Sequence, residues 1–328
     1  MYLGILFQWN GHFSKAKKII HDKAQRAMYA IIQKGRKFNL PFSTMFKLFD
    51  TCVAPILLYG AEVWGFENFD MLERVHTKFC KIIAKKSKFT HNSTIYGEMG
   101  RKPMVMLAKL RMINFWSKII SGKSAKLSSI LYKILYHLDS IDRYTSNWLR
   151  CVRETLQNCG LNFIWLNQNV ASRNALGSLV KNILGDQFEQ NWSEKIRNEE
   201  AFTNYRIFKD GIKCELYITV LPDHLKFAML DFRTGSYKLA VNRRNNTDIQ
   251  RQERLCPYCN LGQVGDEYHF LFQCNYNTLN DLRIQFIPDY YRNKTSTLKM
   301  SELLNSDDVD ITFSLAKYVF YGLKLYKL

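Results

Sequence analysis

Three cysteines and one histidine near the C-terminal end carry the clearest chemistry in this chain. Cys256, Cys259, His269 and Cys274 follow the spacing C-x2-C-x9-H-x4-C, all within 19 residues. Two thiolates three residues apart fit adjacent corners of a tetrahedron, because the turn between them points both sulfurs inward. Three sulfurs and one nitrogen favour Zn²⁺, and four protein ligands leave no open position, so the expected site is structural. Its binding free energy would then be folding free energy. Three thiolates and one Zn²⁺ leave one net negative charge, which Arg251 and Arg254 just upstream are expected to offset. Asp266 or Glu267 is a candidate acceptor for the second ring N–H of His269, the alternative being a solvated acidic turn. Tyr258, Tyr268, Phe270 and Phe272 interleave the ligands. They either stack on unpaired bases or form the small core of the module.

Little else in the sequence suggests bond-making chemistry. No Ser-His-Asp set and no phosphate-binding glycine loop is apparent, and of the seven histidines only His269 has a chemical setting. Asp307-Asp308 reads as a solvated or helix-capping pair. Pro222-Asp223 and Pro288-Asp289 lack the downstream Glu-x-Lys of a nuclease motif. The other cysteines, Cys52, Cys80, Cys151, Cys159 and Cys214, are scattered and read as small buried hydrophobes. Cysteines used for metal and core, not for a disulfide framework, point to a reducing compartment, nucleus or cytoplasm.

Charge separates the two halves. The 328 residues hold 47 Lys+Arg against 29 Asp+Glu, a net of +18. Residues 1–150 contain 25 basic and 9 acidic side chains, whereas residues 151–328 contain 22 and 20. A basic half joined to a near-neutral half implies a polyanion-binding surface on the first. Charge alone leaves anionic membrane surfaces and a merely lysine-rich helical surface as alternatives. No 18-residue apolar stretch is present, and the best candidate, 52–66, is broken by Pro55, Gly60 and Glu62, so no membrane span is expected. The first residues lack a basic n-region and a cleavage site, so no secretory signal is expected either.

The elements that must position these groups read as mostly helical. Residues 1–13 alternate and contain Gly4 and Asn10-Gly11, which suggests a strand or hairpin remnant. Ser14 is the predicted N-cap of a six-turn helix with Ile19, Ile20, Ala24, Ala27, Met28 and Ile31 on its apolar face. Pro41 opens the next helix. Residues 53–65 read as a buried, Pro-kinked helix. Further helices are predicted over 72–83, from Pro103 to Gly122, and near 128–138, 146–159 and 170–197. Leu216–Leu221 fits either a strand or a short helix. The cations expected to meet phosphate are Lys15, Lys18, Lys34, Arg36, Lys37, Lys85, Lys86, Lys109 and Arg111.

Taken together, several stretches resemble the C-terminal part of reverse transcriptases from non-LTR (LINE-type, jockey-like) retrotransposons. Tyr2-Leu3-Gly4 looks like the family's primer-grip motif. Phe49-Asp50, Pro55-Ile56-Leu57-Leu58-Tyr59-Gly60 and Glu62-Val63-Trp64-Gly65 look like its thumb signature. Tyr96-Gly97-Glu98-Met99-Gly100 with Pro103 fits the following segment. Phe232-Arg233-Thr234-Gly235-Ser236, Arg254-Leu255-Cys256 and Asp266-Glu267-Tyr268-His269-Phe270 lead into and complete the zinc knuckle. The resemblance covers nearly the whole chain in the family's order. The family's aromatic-x-Asp-Asp box, which holds the polymerase metals, would lie upstream of Tyr2-Leu3-Gly4, where this chain has no residues to supply it.

The resemblance therefore implies a non-catalytic fragment that binds nucleic acid, an RNA template and a DNA primer, without the polymerase palm and fingers or an endonuclease part. The expected fold is mostly α. It comprises a primer-grip remnant at 1–13, a basic thumb-like domain at 14–145, a helical connector at 146–235 and a zinc-knuckle domain at 236–328. Two other readings stay open. The native product is a longer, active reverse transcriptase, or the chain is a zinc-stabilised helical scaffold for protein interaction.

Overall fold

The computed structural model describes residues 4–122, 126–237, 239–242 and 249–326. Tyr2 and Leu3 of the Tyr2-Leu3-Gly4 motif lie outside the described residues. Among the described residues eighteen α-helices follow in order: α1 Ser14–Lys37, α2 Phe42–Leu48, α3 Ala54–Leu57, α4 Ala61–Trp64, α5 Asp70–Ile83, α6 Asn92–Met99, α7 Met104–Ile120, α8 Leu127–Ser140, α9 Asn147–Asn158, α10 Asn162–Asn167, α11 Arg173–Asn198, α12 Tyr205–Phe208, α13 Leu216–Val220, α14 Asp223–Arg233, α15 Asn277–Phe286, α16 Asp289–Arg292, α17 Thr297–Leu304 and α18 Val309–Leu325. The chain is mostly α, as the periodicity implies. Among the described residues there is no β-strand, and no helix is long and apolar enough to cross a membrane.

The chain divides into two compact units. One comprises Met1–Phe79 with Lys102–Phe188, the other Cys80–Arg101 with Glu189–Leu328. This division does not coincide with the segments 14–145, 146–235 and 236–328 drawn from the sequence. The first unit holds 23 basic and 10 acidic side chains and the second 24 and 19, so the basic excess belongs mainly to the first.

In the first unit, α1 buries Ile20, Ala24, Met28, Ile31 and Ile32, whereas Ile19, expected on the same face, is exposed and Ala27 is half-buried. Its start differs from expectation. Ser14 is the first helical residue, and its hydroxyl donates to Gln8 Oε1 at 3.0 Å instead of capping the helix. The same Gln8 oxygen accepts from Lys15 N–H at 2.9 Å, so a glutamine seven residues upstream satisfies one of the orphan donors. Residues 4–13 form no strand; the Asn10-Gly11 turn is closed by Gly11 N–H donating to Gln8 O at 3.1 Å.

The apolar run 53–65 is likewise not one helix. A π-helical turn, Phe49–Val53, leads into α3, and Gly60 at φ +69° ends the segment before α4. Pro55 sits in the first turn of α3, where its missing N–H costs nothing. A left-handed residue at 60 cannot continue a helix, and glycine adopts that conformation without a side-chain clash. Trp64, fully buried, donates its indole N–H to Tyr59 O at 2.8 Å and clasps the break. Farther along, Trp116, Leu149, Val152, Leu156, Trp165 and Val180 from α7, α9, α10 and α11 build a separate core. Trp116 stacks on Trp165 with ring centroids 6.0 Å apart and donates to Tyr132 Oη at 2.9 Å.

In the second unit, Leu216–Val220 is helical, which settles the strand-or-helix ambiguity. Its centre is ionic. Glu98 and Arg233 are both completely buried, with Arg233 Nε 2.8 Å from Glu98 Oε2. Tyr217 donates to Glu98 Oε2 at 2.6 Å and Tyr205 to Glu98 Oε1 at 3.0 Å. Glu215 pairs with Lys209 and lies 3.6 Å from Arg233 Nη2, so two carboxylates face two cations. Burial alone pushes the Glu98 carboxyl up, but Arg233 and Lys209 beside it hold it below the usual carboxylate range. Gly100, at φ +63°, lets α6 end where the 214 backbone crosses: a Cβ there would lie 2.6 Å from Cys214 N. That approach carries the Glu215 N–H to Glu98 O hydrogen bond of 3.0 Å.

Candidate metal centre

Local backbone geometry explains how four residues spread over 19 positions converge. Leu255 and Val264 form an antiparallel bridge, and Cys256 N–H donates to Gln263 O at 2.8 Å. The loop between them, turned at Gly262 with φ +61°, returns the chain beside Cys256 and carries Cys259. Residues His269–Gln273 then form a single π-helical turn. In that turn Cys274 N–H bonds back five residues to His269 O at 2.8 Å, which brings the last two donors together.

The result is one pocket of donors. The ligand atoms of Cys256, Cys259, His269 and Cys274 all lie within 4.8 Å of one another, so the group could hold a metal ion. Cys256 Sγ is 4.0 Å from Cys274 Sγ, and Cys259 Sγ is 3.3 Å from His269 Nε2. Cys256, His269 and Cys274 are buried and Cys259 is half-buried. The Tyr258 and Tyr276 backbone N–H groups point at the sulfurs of Cys256 and Cys274, each two residues upstream. N–H donors aimed at sulfur favour thiolate over thiol. Donation from the Cys274 thiol, with further donors around it, brings the Cys256 thiol down to about 3, while the same contact pushes Cys274 up.

The surroundings of the cluster differ from the sequence-based expectation. His269 Nδ1 faces Gln263 Oε1 at 3.1 Å, so an amide takes the place expected of Asp266 or Glu267. Asp266 instead accepts the His269 backbone N–H at 2.9 Å and lies 3.7 Å from Arg251. Glu267 is no solvated turn residue: it is buried, hydrogen-bonded by Asn204 and by Asn242 at 2.9 Å, and burial pushes its carboxyl up. Arg254 donates to the Ile249 and Val241 carbonyls at 3.0 and 2.7 Å, which makes it a loop tie. Phe270 and Phe272 belong to the core, and Tyr258 packs on Tyr326 with centroids 4.1 Å apart. Tyr326 is the residue that sequence reading missed. Its hydroxyl donates to Cys274 Sγ at 3.0 Å and lies 3.8 Å from Cys256 Sγ. Fifty-two positions separate it from Cys274, so no local spacing could have marked it. Asp308 caps α18, accepting from Asp310 and Ile311 N–H at 2.7 and 3.2 Å. Cys52 and Cys214 are exposed, contrary to their expected burial.

The basic residues fall on both units. Lys15, Lys18, Lys34, Arg36 and Lys37 are exposed along α1, and Lys23 and Arg26, not singled out before, share that stripe. Their positions follow the same 3.6-residue period as the buried face, displaced around the helix. Asp22 is the one acidic residue of α1. Lys109 is half-buried, and Arg111 is exposed with Nη1 donating to Leu58 O at 2.7 Å. On the second unit, Lys85 is exposed with its ammonium 4.0 Å above the Phe227 ring. Lys86 is no surface cation: its side chain is 1% exposed and pairs with Asp231. Compared with protein-family models, curated proteins and solved structures, the chain matches none.

Proposed function

We propose that this chain is a nucleic-acid-binding, non-catalytic C-terminal portion of a non-LTR retrotransposon reverse transcriptase, stabilised by one structural Zn²⁺. The observation that carries the binding part is the α1 stripe, with seven exposed cations on a helix holding a single carboxylate. Such a stripe is about 36 Å long at 1.5 Å per residue, and cations so placed meet phosphates without reading sequence. The family assignment rests on the motif resemblance. It gains physical sense from Glu98 and Arg233: residues of two separate resembling stretches form one buried pair.

Cys256, Cys259, His269 and Cys274 would hold the zinc. A tetrahedral ion with sulfur at about 2.3 Å requires S···S edges of about 3.8 Å, close to the 4.0 Å between Cys256 and Cys274. When bound, the ion supplies a cross-link between the 256–264 loop and the 269–274 turn. Four ligands from this chain leave it no substrate position.

The test is binding of purified protein to RNA and to duplex DNA across a salt series. If six cations neutralise phosphates, log affinity falls against log salt with a slope of about −5 on duplex DNA and about −4 on single strands. Binding that ignores salt, or no binding at low salt, overturns the proposal. So does primer extension by the purified chain alone, which would contradict its non-catalytic part.

A further inference from the structure

We infer that Trp9 and the groove beside it form a stacking site for an unpaired base of single-stranded nucleic acid. The inference rests on the polyanion-binding reading above and adds which kind of polyanion is preferred. Trp9 is 100% exposed. The other five tryptophans are placed differently: Trp64, Trp116, Trp165 and Trp192 are buried, and Trp148 is half-buried with its N–H on Glu62 O. A fully solvated indole is the least economical way to place this side chain, and it is the strongest aromatic stacker available.

The residue stands on an anchored turn. Gly11 N–H closes the turn onto Gln8 O, and the Gln8 side chain accepts from both Ser14 Oγ and Lys15 N–H. Phe7, on the other side, packs edge-on against Phe13 at 5.5 Å. Through Gln8, its neighbour in sequence, the indole is therefore held out near the N-terminal end of α1, where the cation stripe begins. Asn10, next to Trp9 in the chain, lines an open groove of about 460 Å³ together with His12, Asn147 and Arg150; the indole itself stands outside that lining. The groove's two carboxylates are accompanied: Glu67 by Lys17 at 2.6 Å, and Glu154 by Arg150 at 4.0 Å.

His12 Nδ1 lies 3.3 Å from Glu67, and Asn10 and Asn147 accept through Oδ1 from His12 N–H and Arg150 Nη2; the amide N–H groups, His12 Nε2 and the rest of the guanidinium are the groups of this groove that can meet a base edge or a phosphate. Stacking needs a free base face, which a duplex does not present along its length. The exposed cations along α1, which starts at this turn, select nucleic acid over a protein partner with an apolar face. The geometry thus points to a platform that adds single-strand preference to an otherwise indifferent phosphate-binding surface.

Fluorescence tests this in the full chain. Titration with a 12-nucleotide oligoadenylate should quench and shield an acrylamide-accessible tryptophan signal, and Trp9→Phe should remove that response. Trp9→Ala should weaken oligoadenylate binding about 5- to 150-fold and leave a 12-base-pair duplex bound as before. Because Trp9 buries nothing, its variants should melt with the parent. Unchanged oligoadenylate affinity in Trp9→Ala, equal loss on both nucleic acids, or acrylamide access undiminished by bound oligoadenylate would overturn the inference while leaving phosphate binding intact. Absence of binding by the parent protein to either nucleic acid would overturn both readings.

Discussion

The Tyr326 hydroxyl donates to Cys274 Sγ across 3.0 Å, tying the end of α18 to the donor cluster. The Tyr258 hydroxyl in turn donates to Tyr326 O at 3.0 Å, and Phe270 packs edge-on against the Tyr326 ring at 5.3 Å. The contact lowers the electron density on one sulfur and fixes its direction. Groups of this kind act on a metal through its ligand.

Tyr326→Phe should therefore weaken zinc binding about 10- to 100-fold while the ring packing and the helix persist. Competition with a chromophoric chelator reads the affinity. Cobalt substitution should also show a shifted sulfur-to-metal charge-transfer band. Affinity and spectrum equal to the parent would make Tyr326 a packing residue only.

Cys259→Ser should abolish the stoichiometric metal, about one zinc per parent chain. Hydrogen exchange should then accelerate over residues 250–280 and, through the Tyr326 link, at the end of α18. Retention of one tightly bound metal would refute the ligand assignment.

Glu98→Ala should cost about 3–5 kcal/mol, because it leaves the Arg233 guanidinium buried beside a cavity without the carboxylate that directly pairs with it. Chemical denaturation measures the loss. The pair also fixes a pH dependence. The Glu98 carboxyl titrates lower in the folded protein than in the unfolded chain. Its contribution is thus fully present above the unfolded carboxylate pKa of about 4.3, and is lost as pH falls through the lower folded value. Stability of the parent should drop on acidification below about pH 4, and Glu98→Gln should flatten that part of the profile.

Lys18→Glu with Arg26→Glu should weaken binding to all sequences alike and reduce the steepness of the salt slope by about 2. Lys86→Gln should leave both affinity and slope unchanged, since that ammonium faces Asp231 and not solvent. A Lys86 variant that lost binding while its melting behaviour stayed intact would contradict the buried placement.

Much of this architecture was legible because it is periodic or local. The α1 face, the helices after Pro41 and Pro103, and the Cys-His spacing all depend on residues within a few turns of one another. Where reading failed, a distant partner decided. Gln8 took the capping role expected of Ser14, and Gly60 divided an apolar run whose hydrophobicity favoured one helix. Lys86 looked like its neighbour Lys85 until Asp231, 145 residues away, withdrew it from the surface. Gln263 displaced the carboxylates as the partner of His269, because the loop turn, and not adjacency, aims its amide. Paired charges far apart in sequence leave no trace in composition, whereas metal ligands at short spacing do.

The second unit borrows residues 80–101 from the front third of the chain and cannot be completed without them. During synthesis, Glu98 leaves the ribosome long before Arg233 exists, so the early stretch must wait, its carboxylate hydrated, for more than a hundred residues to be added. The wait ends in a loop closure, and removing the codons through 101 would not liberate a self-sufficient metal-binding module. A fragment beginning at 189 would carry every ligand of the cluster and still bury the Arg233 guanidinium without Glu98, leaving it the Leu304 carbonyl at 2.7 Å and Glu215 at 3.6 Å. Deletion mapping along this polypeptide will therefore mistake loss of folding for loss of binding unless the short upstream piece is supplied, in cis or as a separate peptide.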